Sequence, residues 1–195
     1  GGGSSDGAAA LHAVNRLAGD VVPRHEILQF AARLGSDVPF FASGAPFALA
    51  WGRGERLYRL PPPAPAPALL ALPPFGLGTA EAYQRLDAAR TQELQRGAVA
   101  LDADALASWG SIARLGGNDF ENIVFGKEPP LKTLFERMAQ TGPVLVRMSG
   151  SGSALIAVYR NEQQRDGAAL ELGERDHRLI KTATRAQAAP GPEAT

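Results

Sequence analysis

The chain has 195 residues, 45% apolar and 21% charged, enough for one large domain or two small ones with real cores. Twenty basic and twenty acidic residues cancel, which removes the general electrostatic case for nucleic acid or an anionic membrane as partner. With no cysteine, disulfides, thiolate metal sites and a cysteine nucleophile are excluded together.

No apolar run approaches the ~18 residues of a membrane span, and no basic-then-apolar leader opens the chain. The expected compartment is therefore the cytoplasm. Residues 8 to 18 carry Leu11, Val14 and Leu17 at helical spacing, with Asp6 placed to cap the start. A second helix is expected from Pro23 to Leu34, showing Ile27, Phe30, Ala31 and Leu34 on one face. The turn Gly35-Ser36-Asp37-Val38-Pro39 leads into a strand-like stretch from Phe40 to Trp51. Gly52 to Gly54 reads as a tight turn into a short strand, Glu55 to Leu60.

Pro61 to Pro67 is the sharpest composition break, an extended stretch unsuited to a sheet ladder and expected as a linker or surface loop. Beyond it, Leu69 to Leu72 reads as a buried strand and Thr79 to Arg90 as a helix. Short helical pieces fill 102 to 115, and Leu131, Leu134, Phe135 and Met138 mark a helix that stops at Gly142-Pro143. Val144 to Met148 and Ala154 to Tyr159 are two strands around a Ser/Gly turn. A helix from Asn161 to Leu172 and a strand from Arg178 to Thr184 follow, and from Gln187 the composition predicts a disordered tail.

Several stretches could carry chemistry. Gly1-Gly2-Gly3-Ser4-Ser5-Asp6 runs straight into a helix. Backbone N–H groups there can converge on one anion beside the positive helix end, and Ser4 and Ser5 can bond phosphate oxygens or help hold a magnesium ion. The same residues also read as a plain helix start. Gly3-Ser4-Ser5-Asp6-Gly7 further matches a hydrolase nucleophile elbow, with Ser5 as nucleophile and His177 as a conceivable partner, but that elbow needs a preceding strand. Met148-Ser149-Gly150-Ser151-Gly152-Ser153 is either a hairpin turn or a second anion cradle. Asp37 is either a turn former or a functional carboxylate. His12, His25 and His177 lack ligand spacing, so no metal site is assigned to protein side chains.

Taken in order, the Gly-Gly-Gly-Ser-Ser-Asp stretch, the Leu-Gly-x-Asp-Val-Pro turn and the late Gly-Ser-Gly-Ser loop resemble the GHMP kinases. Four further pieces are similar to the branch acting on 4-diphosphocytidyl-2-C-methyl-D-erythritol: Leu34 to Phe41, Gly52-Arg53-Gly54-Glu55, Thr79-Ala80-Glu81-Ala82-Tyr83, and Asn118-Asp119-Phe120-Glu121-Asn122. The resemblance implies a two-lobed α+β fold. Residues 1–60 would be the C-terminal part of a ribosomal-S5-like ATP lobe, 68–186 a ferredoxin-like lobe, and 187–195 a disordered tail. It also implies ATP-dependent phosphorylation of the 2-hydroxyl of that small-molecule substrate in isoprenoid biosynthesis, with ATP and Mg2+ as cofactors. By resemblance, Gly1, Gly2, Gly3, Ser4 and Ser5 would wrap the ATP phosphates and Asp37 would be the catalytic base. Gly150, Ser151, Gly152 and Ser153 would support phosphate and substrate, and Tyr83 would lie against the cytosine. The family's first sheet segment, its early lysine and the leading glycines would precede Gly1, so the chain alone is expected to be inactive. Another GHMP kinase, a non-catalytic fragment and, more remotely, a serine hydrolase remain as alternatives.

Overall fold

A computed structural model describes residues 1–76, 78, 82–84, 86, 104–174 and 176–187. The expected tail beyond Gln187, and most of the helix expected over 79–90, lie outside the described residues. The chain divides into two units, Gly1–Pro62 with Arg185–Thr195, and Pro63–Thr184.

Among the described residues the first unit holds three helices and a hairpin. Helix α1 (Gly2–Leu17) begins six residues earlier than the apolar spacing predicts. The glycine–serine stretch is thus the helix's own first turns, and Asp6 lies inside the helix instead of capping it. Helix α2 (Arg24–Leu34) starts after Pro23, which sits in the extended conformation at the cap. The strand expected from Phe40 is instead α3 (Val38–Ser43), with Pro39 in its first turn, where a missing N–H costs nothing. Strands β1 (Ala48–Trp51) and β2 (Arg56–Arg59) pair antiparallel around the predicted turn, with Trp51 opposite Arg56.

Ala8, Ile27, Ala31, Val38 and Ala42 form this unit's core, with Leu11, Val22 and Leu28 packed against it. Val14, Leu17, Phe30 and Leu34, placed by periodicity on the same faces, are exposed. Ser43 ties the end of α3 to its surroundings. Its carbonyl accepts from the guanidinium groups of both Arg24 and Arg59. Its hydroxyl donates to Phe40 O at 2.7 Å and accepts from Ala45 N–H at 3.1 Å.

The second unit is a four-stranded antiparallel sheet in the order β4-β5-β3-β6. The strands are β3 (Pro67–Leu72), β4 (Leu145–Met148), β5 (Leu155–Val158) and β6 (Arg178–Ala183). Pro67 joins the ladder despite its composition, because it stands first in its strand and needs only its carbonyl, which accepts from Tyr159 N–H at 2.8 Å. The proline-rich stretch is also anchored to its own unit, since Trp109 Nε1 donates to Ala64 O at 2.9 Å.

A 3₁₀ turn (Asp104–Leu106) precedes α4 (Trp109–Leu115), α5 (Asp119–Lys127), α6 (Pro129–Gln140) and α7 (Glu162–Leu172). Helix α5 was not foreseen in the sequence. Alternation places Leu69 and Ala71 of β3 opposite Ala157 and Leu155 of β5, a large residue facing a small one in each pair. That face meets Leu131, Leu134 and Met138 of α6 and Ala168 and Leu172 of α7 in one core. Tyr159 is fully buried, and its hydroxyl shares a 2.8 Å hydrogen bond with Thr141 Oγ1. Among the described residues no helix is long and apolar enough to cross a membrane.

Candidate functional site

The residues singled out in the sequence fall in both units. In the first, Gly1, Gly2, Gly3, Ser4 and Ser5 open α1. The first helical bond runs from Ser5 N–H to Gly1 O at 2.9 Å, so the N–H groups of Gly2, Gly3 and Ser4 have no partner within the helix. A β-carbon at Gly2 or Gly3 would meet nothing within 4 Å, so the space beside these amides is open. No acidic side chain stands in the first turn to compete for them. The arrangement suits a phosphate group.

Helix α3 lies along the same end of α1. A β-carbon at Gly1 would stand 3.2 Å from the Phe41 ring, and one at Gly7 would stand 3.9 Å from Val38. Asp37, immediately before α3, is exposed and makes no side-chain cap bond. The glycine–serine start and Asp37 are thus brought to one end of the first unit. Behind Asp37 stands the β1–β2 turn. Glu55 folds over it, accepting from Arg53 N–H at 2.7 Å. Bonds from its own backbone amide and that of Arg53 hold its carboxyl below the usual carboxylate range. Ser5 sits in the helix instead of following a strand, so the nucleophile-elbow arrangement is not formed there.

In the second unit, Gly150, Ser151, Gly152 and Ser153 form the turn between β4 and β5. Gly150 and Gly152 take φ of 56° and 93°, which an L side chain resists. Ser149 N–H donates to Ala154 O at 2.8 Å and Gly152 N–H to Ser149 O at 3.0 Å. Ser153 is buried, and its hydroxyl donates to Phe75 O.

Tyr83 stands in a helical turn at 82–84, 54% exposed, with Phe120 edge-on to its ring at 5.0 Å between centroids and 77° between planes. Both rings line an open cleft of about 580 Å³ with Ile112, Asn118, Arg147 and Gly150. Its chemistry is mixed: two aromatic rings, the Arg147 guanidinium, the Asp119 carboxylate, and backbone from the glycine–serine turn.

Three residues of this region carry structural work that the sequence reading did not assign. Asn118 caps α5, its Oδ1 accepting from Phe120 N–H at 2.9 Å, while Nδ2 donates to Met148 O at 2.8 Å and to Gly150 O at 2.7 Å. Glu121 Oε1 accepts from Met148 N–H at 2.8 Å. Arg147 donates to Ala113 O and Gly116 O at the end of α4. An asparagine three residues before a glutamate is a helix-start signal, and it would have located α5.

Comparison with known proteins follows this division. The family model for the N-terminal domain of GHMP kinases matches residues 1–45, and that for their C-terminal region matches residues 98–177. A 4-diphosphocytidyl-2-C-methyl-D-erythritol kinase of Solibacter usitatus is 38% identical over 178 residues, 89% of this chain and 56% of the relative. The corresponding kinase of Nitratidesulfovibrio vulgaris is 35% identical over 93% of this chain and 64% of its own length. A crystal structure of 4-(cytidine 5'-diphospho)-2C-methyl-D-erythritol kinase superposes with a TM-score of 0.73 at 32% identity, covering 94% of this chain and 65% of that one. The chain therefore spans little more than half the length of several of the curated relatives it matches. With both family models matched and the α+β fold shared, the chain belongs to the GHMP kinase family.

Proposed function

We propose that the protein carrying this chain transfers the γ-phosphoryl group of ATP to the 2-hydroxyl of 4-diphosphocytidyl-2-C-methyl-D-erythritol, a step of isoprenoid biosynthesis, and works in the cytoplasm. The observation that carries this reading is the 38% identity to a kinase of that name across 89% of the chain. The exposed Tyr83 ring braced by Phe120 supports it, because a cytosine base needs a flat apolar partner.

Phosphoryl transfer needs positioning and charge neutralisation more than covalent chemistry from the protein. The open amides of Gly2, Gly3 and Ser4, with Gly1 and Ser5 beside them, hold the ATP phosphates. Asp37 accepts the proton of the attacking hydroxyl, as its exposure allows. Gly150 to Ser153 offer backbone to phosphate and substrate, and Tyr83 stacks on the cytosine. Among the described residues no three His, Asp or Glu side chains converge on a point. A magnesium ion fits here in the manner usual for it, carried mainly by phosphate oxygens and water, with the Ser4 and Ser5 hydroxyls as the protein's hard-oxygen donors. Bound there it would neutralise charge on the phosphates.

The test is ADP release by the chain, alone and joined to the remaining part of a full-length relative, with the cytidylylated alcohol, homoserine or mevalonate as acceptor. Turnover with the cytidylylated alcohol only is expected. Turnover confined to another acceptor, or with none in either form, overturns the reading.

A further inference from the structure

The end of strand β4 is held by a helix to which the glycine–serine turn does not belong. Met148 commits both backbone groups to the first turn of α5, its N–H to Glu121 and its carbonyl to Asn118. The same Asn118 amide reaches one step further to Gly150 O at 2.7 Å, inside the turn itself. Its oxygen, on the other side, caps Phe120 N–H.

A side-chain amide has two N–H donors and one oxygen acceptor. Asn118 uses all three at once, the donors on the turn and the oxygen on the helix. Aspartate would set oxygen against two carbonyls. Glutamine would carry the group a methylene too far to cap its own helix.

The turn needs such a clamp. Gly150 and Gly152 have no side chains, and ordering glycine costs more conformational entropy than ordering any other residue. Phe120, whose amide Asn118 caps, is also the residue that braces Tyr83 edge-on. One helical turn thereby fixes both the glycine–serine turn and the aromatic ring of the cleft.

We propose that Asn118 is a positioning residue of the reaction: it sets the conformation of Gly150–Ser153, in register with the Tyr83 ring, for a bound nucleotide-linked substrate. The inference rests on the kinase reading above for what the turn does, and on the hydrogen bonds alone for what holds it.

Asn161 supplies the internal control. It caps α7 through the same kind of bond, Oδ1 accepting from Gln164 N–H at 2.9 Å. Asn118→Ser keeps a cap oxygen and loses both donors to the turn, whereas Asn161→Ser alters a cap alone. Hydrogen exchange of residues 149–154 is measured in the chain and in both variants. Phosphoryl transfer is measured in whichever form turns over the cytidylylated alcohol.

Asn118→Ser should speed exchange of 149–154 by about tenfold or more and lower kcat by about tenfold while KM for ATP moves less than about threefold. Asn161→Ser should do neither. Asn118→Asp, which retains size and cap, should match Asn118→Ser in kcat. Unchanged exchange at 149–154 overturns the clamp. Faster exchange with unchanged kcat overturns its part in the reaction. If the parent transfers no phosphoryl group in either form, the kinase reading falls and the positioning role with it, while the exchange result still decides whether Asn118 holds the turn.

Discussion

Gly54 and the carbonyl oxygen of Ser36 leave no room between them, for a β-carbon on residue 54 would stand 2.2 Å from that oxygen. Gly54 also takes φ of 106°, so a side chain is resisted by its own backbone as well as by its neighbour. The β1–β2 turn thus presses backbone against backbone on the residue before Asp37.

Gly54→Ala is therefore expected to destabilise the first unit by about 1–3 kcal/mol and, by moving Ser36, to lower kcat. Gly126→Ala is the contrast, because that glycine lies inside α5 with nothing within 4 Å of the added carbon. It should raise stability by up to about 1 kcal/mol. Thermal unfolding of the two variants checks both, and a Gly54→Ala protein as stable as its parent would remove the close contact.

Asp37→Asn should separate chemistry from stability. The side chain is exposed and makes no cap bond, so the melting curve should shift by no more than about 0.5 kcal/mol equivalent. Loss of a general base lowers kcat by about 10²–10⁴-fold. Steady-state kinetics on the cytidylylated alcohol are the measurement. A kcat within about threefold of the parent removes Asp37 from the mechanism.

Tyr83→Ala should raise KM for the cytidylylated substrate by the equivalent of about 1–3 kcal/mol, the worth of one base–aromatic stack. KM for ATP should stay as it was, and Tyr83→Phe should be mild because the ring and its contact with Phe120 remain. Equal losses for both substrates would mean that Tyr83 packs the unit instead of meeting a base.

The second unit should lose stability as pH falls through the histidine range. Burial pushes the His177 pKa down, helped by the nearby Arg137 guanidinium and opposed by Asp176 and Glu174. Its Nε2 is buried without a hydrogen-bond partner. The unfolded chain then binds a proton near pH 6.5 that the folded chain takes up only at lower pH, so stability rises with pH across that window. Below about pH 6.5 the melting temperature should fall, and His177→Gln should flatten that part of the curve. Parallel curves for parent and variant would show that other groups set the slope.

Much of this molecule was legible in its sequence, for identifiable reasons. The strands β3, β4 and β5 carry short, largely apolar runs, and α6 shows Leu131, Leu134 and Met138 at helical spacing. Those patterns report burial directly, and burial decided the structure. The Phe40 region misled because Phe-Phe-Ala-Ser has the composition of a strand, while Pro39, two residues after Asp37 at the cap, suits the first turn of a helix. The early start of α1 was hidden because glycines have poor helix propensity, yet Gly2 and Gly3 are helical.

The candidate site was legible only as pieces. Gly1 to Ser5, Asp37 and Gly150 to Ser153 drew notice because their residue types are chemically distinctive, whereas Tyr83 entered only through the family resemblance. Asn118 and Glu121 were read as part of a family pattern and given no task. Their bonds run to backbone atoms some thirty positions away, a pairing that local spacing does not encode.

The strand order of the second unit has a consequence for synthesis. Strand β3 stands between β5 and β6, and the bond from Ala66 N–H to Thr184 Oγ1 joins residues 118 positions apart. At about 5–20 residues per second, β3 waits about 6–24 s on the ribosome before that partner is made. Until β5 is made Pro-Ala-Leu-Leu-Ala-Leu is a bare apolar strand, the kind that pairs with the wrong chain, and until β6 is made one of its edges stays open. The prolines within 61–67 lack N–H groups, so that stretch offers a foreign ladder few donors. The run that looks like a spacer in the finished protein acts, during its manufacture, as a guard on the nascent strand.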